Sequence, residues 1–172
     1  MQRAIAEKLK LTVIVPDIRR SVAKILNKPK STLTGHQGWK AEQKILALWA
    51  ADCAEHVLPF FEDKYPNDDR PRKAIEACRE WISTGVFRMA DVRKASLAAH
   101  AAAREAKEDD AVAAARSAGQ AMGTPHVSTH AFGAAAYAIK AAASHSSNVD
   151  DGIIKERNWQ LERLKAIRSM LP

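Results

Sequence analysis

Ala98-Ala-His-Ala-Ala-Ala-Arg104, Ala113-Ala-Ala-Arg-Ser-Ala-Gly119 and His130-Ala-Phe-Gly-Ala-Ala-Ala-Tyr137 follow one another closely, and their reading decides the fold. Alanine is the strongest helix former and has little preference for strands. About two residues in five are alanine between Ala90 and Ala143, and only 6% of the whole chain is aromatic. Helices built this way bury few bulky side chains, so they gain stability by approaching one another closely. In the stretch from Pro125 to Ala143, one side carries His126, His130, Ala134, Tyr137 and Ala141. The other carries Phe132, Ala135, Ala136, Ile139 and Ala143. A helix apolar on both sides is predicted to be central.

Helical periodicity continues in both directions. Downstream, a polar loop at 144–152 precedes an amphipathic helix over 149–171, with Ile153, Ile154, Leu161, Leu164, Ile167 and Leu171 on its apolar face. Upstream, Met89 to Lys107 and Asp109 to Met122 read as helices, with Glu108, Asp109 and Asp110 suited to an N-terminus and Gly123 to a C-terminal cap. Ala74, Ile75, Cys78, Trp81 and Ile82 make one helical face, opened by an aspartate cap with Pro71 in the first turn and closed by Gly85. A longer helix runs from Trp39 to Phe61, with Pro59 set to kink or end it. Ser31 to Gly38 reads as a loop, and Asp17 as the N-cap of a helix that Pro29 stops. Leu11 to Val15 is left open between strand and helix. The expectation is an all-α single domain of about seven helices, as an antiparallel bundle or stacked hairpins. A chain of 172 residues buries roughly two-thirds of its unfolded surface.

Charge divides the chain into a basic section, 1–38, and an alanine-rich body, 39–172. Residues 1–44 hold ten Lys and Arg against Glu7, Asp17 and Glu42, and the remaining residues hold 17 of each sign. A basic section suits phosphates or an acidic protein, so nucleic-acid binding through 1–44 is one reading. Trp39 is the one aromatic ring it offers for stacking on bases. No segment approaches the ~18 apolar residues of a membrane span. Arg3, Lys8 and Lys10 precede an apolar stretch too short for a signal peptide. The expected location is therefore the cytoplasm. Cys53 and Cys78 sit in helical patterns and read as buried free thiols.

No phosphate-cradling glycine loop, nucleophile elbow or dinucleotide fingerprint is present. Cys53 and His56 have the spacing of a nucleophile pair within a helix, where packing is the commoner reason. Asp52, Glu55, His100, Arg104, Arg116 and Tyr137 fall on rows that the periodicity turns inward. Such groups need partners, since a buried charge without one costs several kcal/mol. A structural network and a ligand pocket both use them. A divalent metal on His126 and His130, spaced i, i+4, is the third reading, although no Glu follows the first histidine as in the zinc-protease helix. Asp68-Asp-Arg-Pro-Arg72 reads as a cap and first turn, with Arg70 and Arg72 able to clamp an anion or carboxylate.

Leu48-Trp-Ala-Ala-Asp-Cys-Ala-Glu-His-Val-Leu-Pro-Phe-Phe-Glu62 and Asp69-Arg-Pro-Arg-Lys-Ala-Ile-Glu-Ala-Cys-Arg-Glu-Trp81, with the three alanine-rich stretches, resemble the immunity proteins of bacterial polymorphic-toxin systems, the fifth such class. The resemblance covers about Lys40 to Ala143. It implies an all-α protein that neutralises a toxin by binding it, with a protein partner and no established catalytic residues. A metal- or small-ligand-binding helical protein, with or without hydrolytic activity, is the alternative, and homo-oligomerisation stays open. A neutral body with a basic N-terminal section argues for a target other than a cationic nuclease, or for an interface away from 1–44.

Overall fold

Alanine and glycine set the architecture by letting two helices meet almost backbone to backbone. The computed structural model describes residues 9–29 and 35–170. Its helices are α1 (Leu11–Ile25), α2 (Gln43–Val57), the single turn α3 (Pro59–Glu62), α4 (Arg70–Thr84), α5 (Met89–Glu105), α6 (Asp109–Gly123), α7 (His130–His145) and α8 (Val149–Ser169), with a 3₁₀ turn at Gln37–Trp39 before α2. Among the described residues there is no strand, and the chain is a single all-α domain. Arg3, Glu7, Lys8, Lys30, the 31–34 part of the expected loop and Leu171 lie outside the described residues.

The pair α6 and α7 forms the centre. Helix α6 touches α2, α4, α5 and α7, and α7 touches α1, α2, α6 and α8. Ala111, Ala114, Ala115, Ala118 and Ala121 of α6 and Ala131, Ala134, Ala135 and Ala138 of α7 are all without exposure. Ser117 Oγ donates across the seam to the Ala134 carbonyl at 2.8 Å, so the one hydroxyl in this dry interface is satisfied. Bulk comes from the flanks. Trp39 is wholly buried edge-on to Phe132, with ring centroids 5.0 Å apart, and the Trp49 indole N–H donates to the Gln160 carbonyl at 2.8 Å.

Four local expectations are corrected, and the open reading of Leu11 to Val15 is resolved. Leu11 to Val15 is helical, and Asp17 lies inside α1 instead of capping it. Leu11, Ile14 and Val15 extend the row of Ile18 and Val22 onto the core, and that burial outweighs the cost of Pro16 inside the helix. Pro16 sits on the exposed side, where the carbonyl it leaves unpaired can be hydrated. The 39–61 helix begins only at Gln43, and it gives way at Pro59 to α3 as that proline led us to expect. Helix α7 starts at His130 and not at Pro125, because 124–129 forms turns. Two side chains hold that turn: Gln43 Nε2 donates to the carbonyls of Thr124 and Pro125 at 2.9 and 2.8 Å, and the Ser128 amide donates to His36 Nδ1 at 2.9 Å. Finally, the polar loop before α8 is short, since Asn148 Oδ1 caps that helix by accepting the amides of Asp150 and Asp151 at 3.0 and 3.3 Å.

Candidate functional site

The polar residues singled out from the sequence separate into two groups on different faces. The first is an ion-pair lattice that joins α2, α3, α4, α5 and α8. Asp52, 7% exposed, accepts from Arg79 Nη2 at 2.8 Å and from Arg163 Nε at 2.6 Å. Glu55 also pairs with Arg79 but is largely solvent-facing, so the expected inward position is not realised. Arg72 grips Glu62 through two bonds, at 2.5 and 2.8 Å. Arg70 holds Asp68 at 2.8 and 2.6 Å and reaches Glu105 on α5 at 3.1 and 2.5 Å. Both arginines are therefore carboxylate clamps, but on carboxylates of this chain. The aspartate cap expected at this helix start is Asp68, whose Oδ1 accepts the Arg70 amide at 3.2 Å.

The second group lies on the outer faces of α5, α6 and α7. Arg104 is exposed and Arg116 half-exposed, and neither meets a carboxylate among the described residues. Burial of every other side of α6 is the reason: only Asp109, Val112, Arg116 and Gln120 are left to look outward. The inward orientation inferred for Arg104 and Arg116 is thus overturned by the alanine faces that pack on the opposite side. Tyr137 of α7 stands beside Arg116, with Lys140 Nζ over its ring at 5.6 Å. Arg116, Tyr137, Lys140 and Ser144 line a pocket of about 280 Å³.

His100 lies against Gly119, where any Cβ would fall 2.7 Å from the ring, and its Nδ1 is buried without a partner. Burial, and then the positive charges of Arg116, His130 and Arg104, hold its pKa below the ordinary value. His130 Nδ1 pairs with Gln120 Oε1 at 2.7 Å, and burial holds its pKa low as well, with His126 and His36 adding to the effect. His126 is exposed in the turn ahead of α7, so the helical i, i+4 arrangement expected for the two histidines does not form. Among the described residues no three His, Cys, Asp or Glu side chains come together as metal ligands.

Cys53 and His56 do not form a nucleophile pair. Cys53 is fully buried and its thiol is pushed well up by burial, while His56 Nδ1 turns to Glu156 Oε2 at 2.8 Å and stacks on Trp159. Sequence reading missed a third feature. Val86, Phe87, Met89 and Leu97 are 60, 42, 37 and 59% exposed, which places a bulky apolar patch around the α4–α5 link. Its one sequence signal is Val-Phe-Arg-Met directly after a helix-ending glycine.

The fold and these faces define a helical domain in which one set of charged groups is braced by mutual pairing and another, including Arg104, stands exposed with no carboxylate paired to it among the described residues. Comparison with protein families matches residues 36–167, most of the chain, to the Imm-5 like putative immunity protein family. The chain belongs to that family. The match extends past the stretches quoted above, taking in the 3₁₀ turn and nearly all of α8 while leaving α1 outside. Comparisons with curated proteins and with solved structures give no match. No helix among the described residues is long and apolar enough to cross a membrane.

Proposed function

We propose that this chain is an immunity protein that neutralises a bacterial toxin by binding it directly, in the cytoplasm and without chemistry of its own. Membership of the immunity family over residues 36–167 carries the reading. Two features support the non-catalytic part. The titratable groups of the α2–α4–α8 lattice are consumed by mutual pairing, and the buried thiols sit far from nucleophilic ionisation. A protein that acts by occupancy needs a rigid surface, and a core closed by alanine seams and cross-helix ion pairs supplies one.

The nucleic-acid reading draws less support. Trp39, its stacking ring, is buried against Phe132, and Lys28 is paired with Glu42 at 2.6 Å. Metal binding by His126 and His130 lacks a third ligand within the described residues.

The test is co-expression. A toxin domain encoded beside the chain should arrest growth alone and be tolerated when the chain is present. Continued arrest in the presence of well-expressed chain contradicts the proposal.

A further inference from the structure

We infer that the toxin docks on the α4–α5 link and the outward row of α5, and that the matching toxin surface is an apolar depression rimmed by carboxylates. The inference rests on the immunity reading and names the chemistry of its partner. Seven bulky apolar side chains stand exposed among the described residues, and four of them, Val86, Phe87, Met89 and Leu97, fall within twelve residues of sequence. A monomeric protein seldom leaves such residues together in water unless another surface covers them.

The patch is presented on a pinned backbone. Gly85 ends α4 with a left-handed φ of 70°, its amide donating to the Trp81 carbonyl at 2.8 Å. The Val86 amide donates to Thr84 Oγ1 at 3.2 Å, and the Arg88 carbonyl accepts the amides of Asp91 and Val92, both at 3.1 Å, as α5 begins. Val86 and Phe87 are thus held between two helix ends, and little order remains to be imposed on binding. Beside Val86 a pocket of about 240 Å³ has Trp81, Val92 and Met122 in its walls, room for one side chain of a partner. From Met89 the exposed row continues along α5 through Arg93 to Leu97, a strip of roughly 12 Å at the helical rise.

The rim fixes the sign of the partner. Arg88, Arg93 and Lys94 are exposed and form no ion pair with a described carboxylate, whereas Arg70, Arg72 and Arg79 of α4 are all engaged. Glu80 and Asp91 line the pocket beside the patch. Apolar centres ringed by unpaired cations fit an acidic-rimmed apolar surface. A second copy of the chain fits poorly, because two-fold docking would set these cations against themselves. A nucleic acid would meet bulky aliphatic groups, one exposed ring at Phe87 and the half-buried Trp81 in the pocket wall, not a row of stacking platforms.

The experiment measures affinity of the purified chain for the toxin domain encoded beside it, by calorimetry at two salt concentrations. Phe87→Ala/Leu97→Ala should weaken binding roughly tenfold or more, the scale of interface anchors. Arg93→Glu/Lys94→Glu should weaken it by a similar factor, slow association and remove most of the salt dependence. Val13→Ser/Ile154→Ser, on the apolar groove between α1 and α8, should leave affinity unchanged. All replaced side chains are exposed, and circular dichroism verifies that each variant folds. Loss confined to Val13→Ser/Ile154→Ser overturns the inference and leaves the immunity reading standing. So does a wild-type dimer that Phe87→Ala/Leu97→Ala dissociates, or duplex binding that Arg93→Glu/Lys94→Glu abolishes. Absence of any binding or protection by the wild type sinks both.

Discussion

Asp52 accepts from guanidinium groups of two other helices, so one carboxylate ties α2 to both α4 and α8. Replacing it with alanine leaves Arg163 without its carboxylate and Arg79 with Glu55 alone, while both guanidinium groups stay about one-third exposed. We expect Asp52→Ala to lower unfolding free energy by about 1–3 kcal/mol in urea titration, and Glu55→Ala by under about 1 kcal/mol. Equal effects would show that the lattice is not centred on Asp52. The thiols give a second check. Burial pushes Cys78 up to about 12 and Cys53 well above its usual value, so neither should react with a thiol reagent until the protein unfolds. Rapid labelling of the native protein would contradict the packing around α2. The sequence marked Asp52 as a polar group needing partners, but Arg79 and Arg163 lie 27 and 111 residues away and carry no local sign of the pairing.

Helices were the most legible level, because alanine content and a 3.6-residue period point the same way from Ala90 to Ala143. Their ends were less so. Pro125 has the look of a first-turn proline, yet bonds from Gln43 and His36, over 80 residues upstream, hold 124–129 as turns and delay α7 to His130. Pro16 and Asp17 look like a boundary, yet tertiary burial of Leu11, Ile14 and Val15 carries α1 through them. Close approach of helices makes its own prediction. At Gly152 an added Cβ would meet the Ala142 carbonyl oxygen at 2.6 Å and Ala143 Cα at 2.9 Å, which are backbone atoms that cannot swing aside. Gly152→Ala should therefore force α8 away from α7 and destabilise by roughly 1–3 kcal/mol, despite alanine's better helix propensity. A stabilised variant in thermal unfolding would refute this packing.

Taken whole, the chain is an alanine-closed bundle whose two polar faces behave differently, and the sequence could not tell them apart. Which row of α5, α6 or α7 looks outward depends on what packs behind it, so Arg104 and Arg116 read as inward until the fold placed alanine seams on the other side. The exposed apolar patch at 86–97 was equally hidden, since burial of a Val or Phe is the default assumption. Low histidine pKa values at His100 and His130 mean that the folded protein resists their protonation. Below about pH 6.5 the unfolded chain binds protons that the folded chain refuses, so the stability these groups allow is complete above that pH and declines as pH falls through their folded values. Relative to wild type, His100→Gln/His130→Gln should flatten the pH dependence of unfolding between about pH 7 and pH 5. An unchanged slope would locate the acid sensitivity elsewhere.

Non-catalytic neutralisation is tested most directly by the stoichiometry of toxin inhibition. A fixed amount of toxin domain is titrated with the chain and its residual activity followed. Occupancy predicts a linear fall that reaches zero at one equivalent and does not deepen with time. Inactivation by a small fraction of an equivalent, growing as incubation lengthens, would make the chain an enzyme and contradict the account.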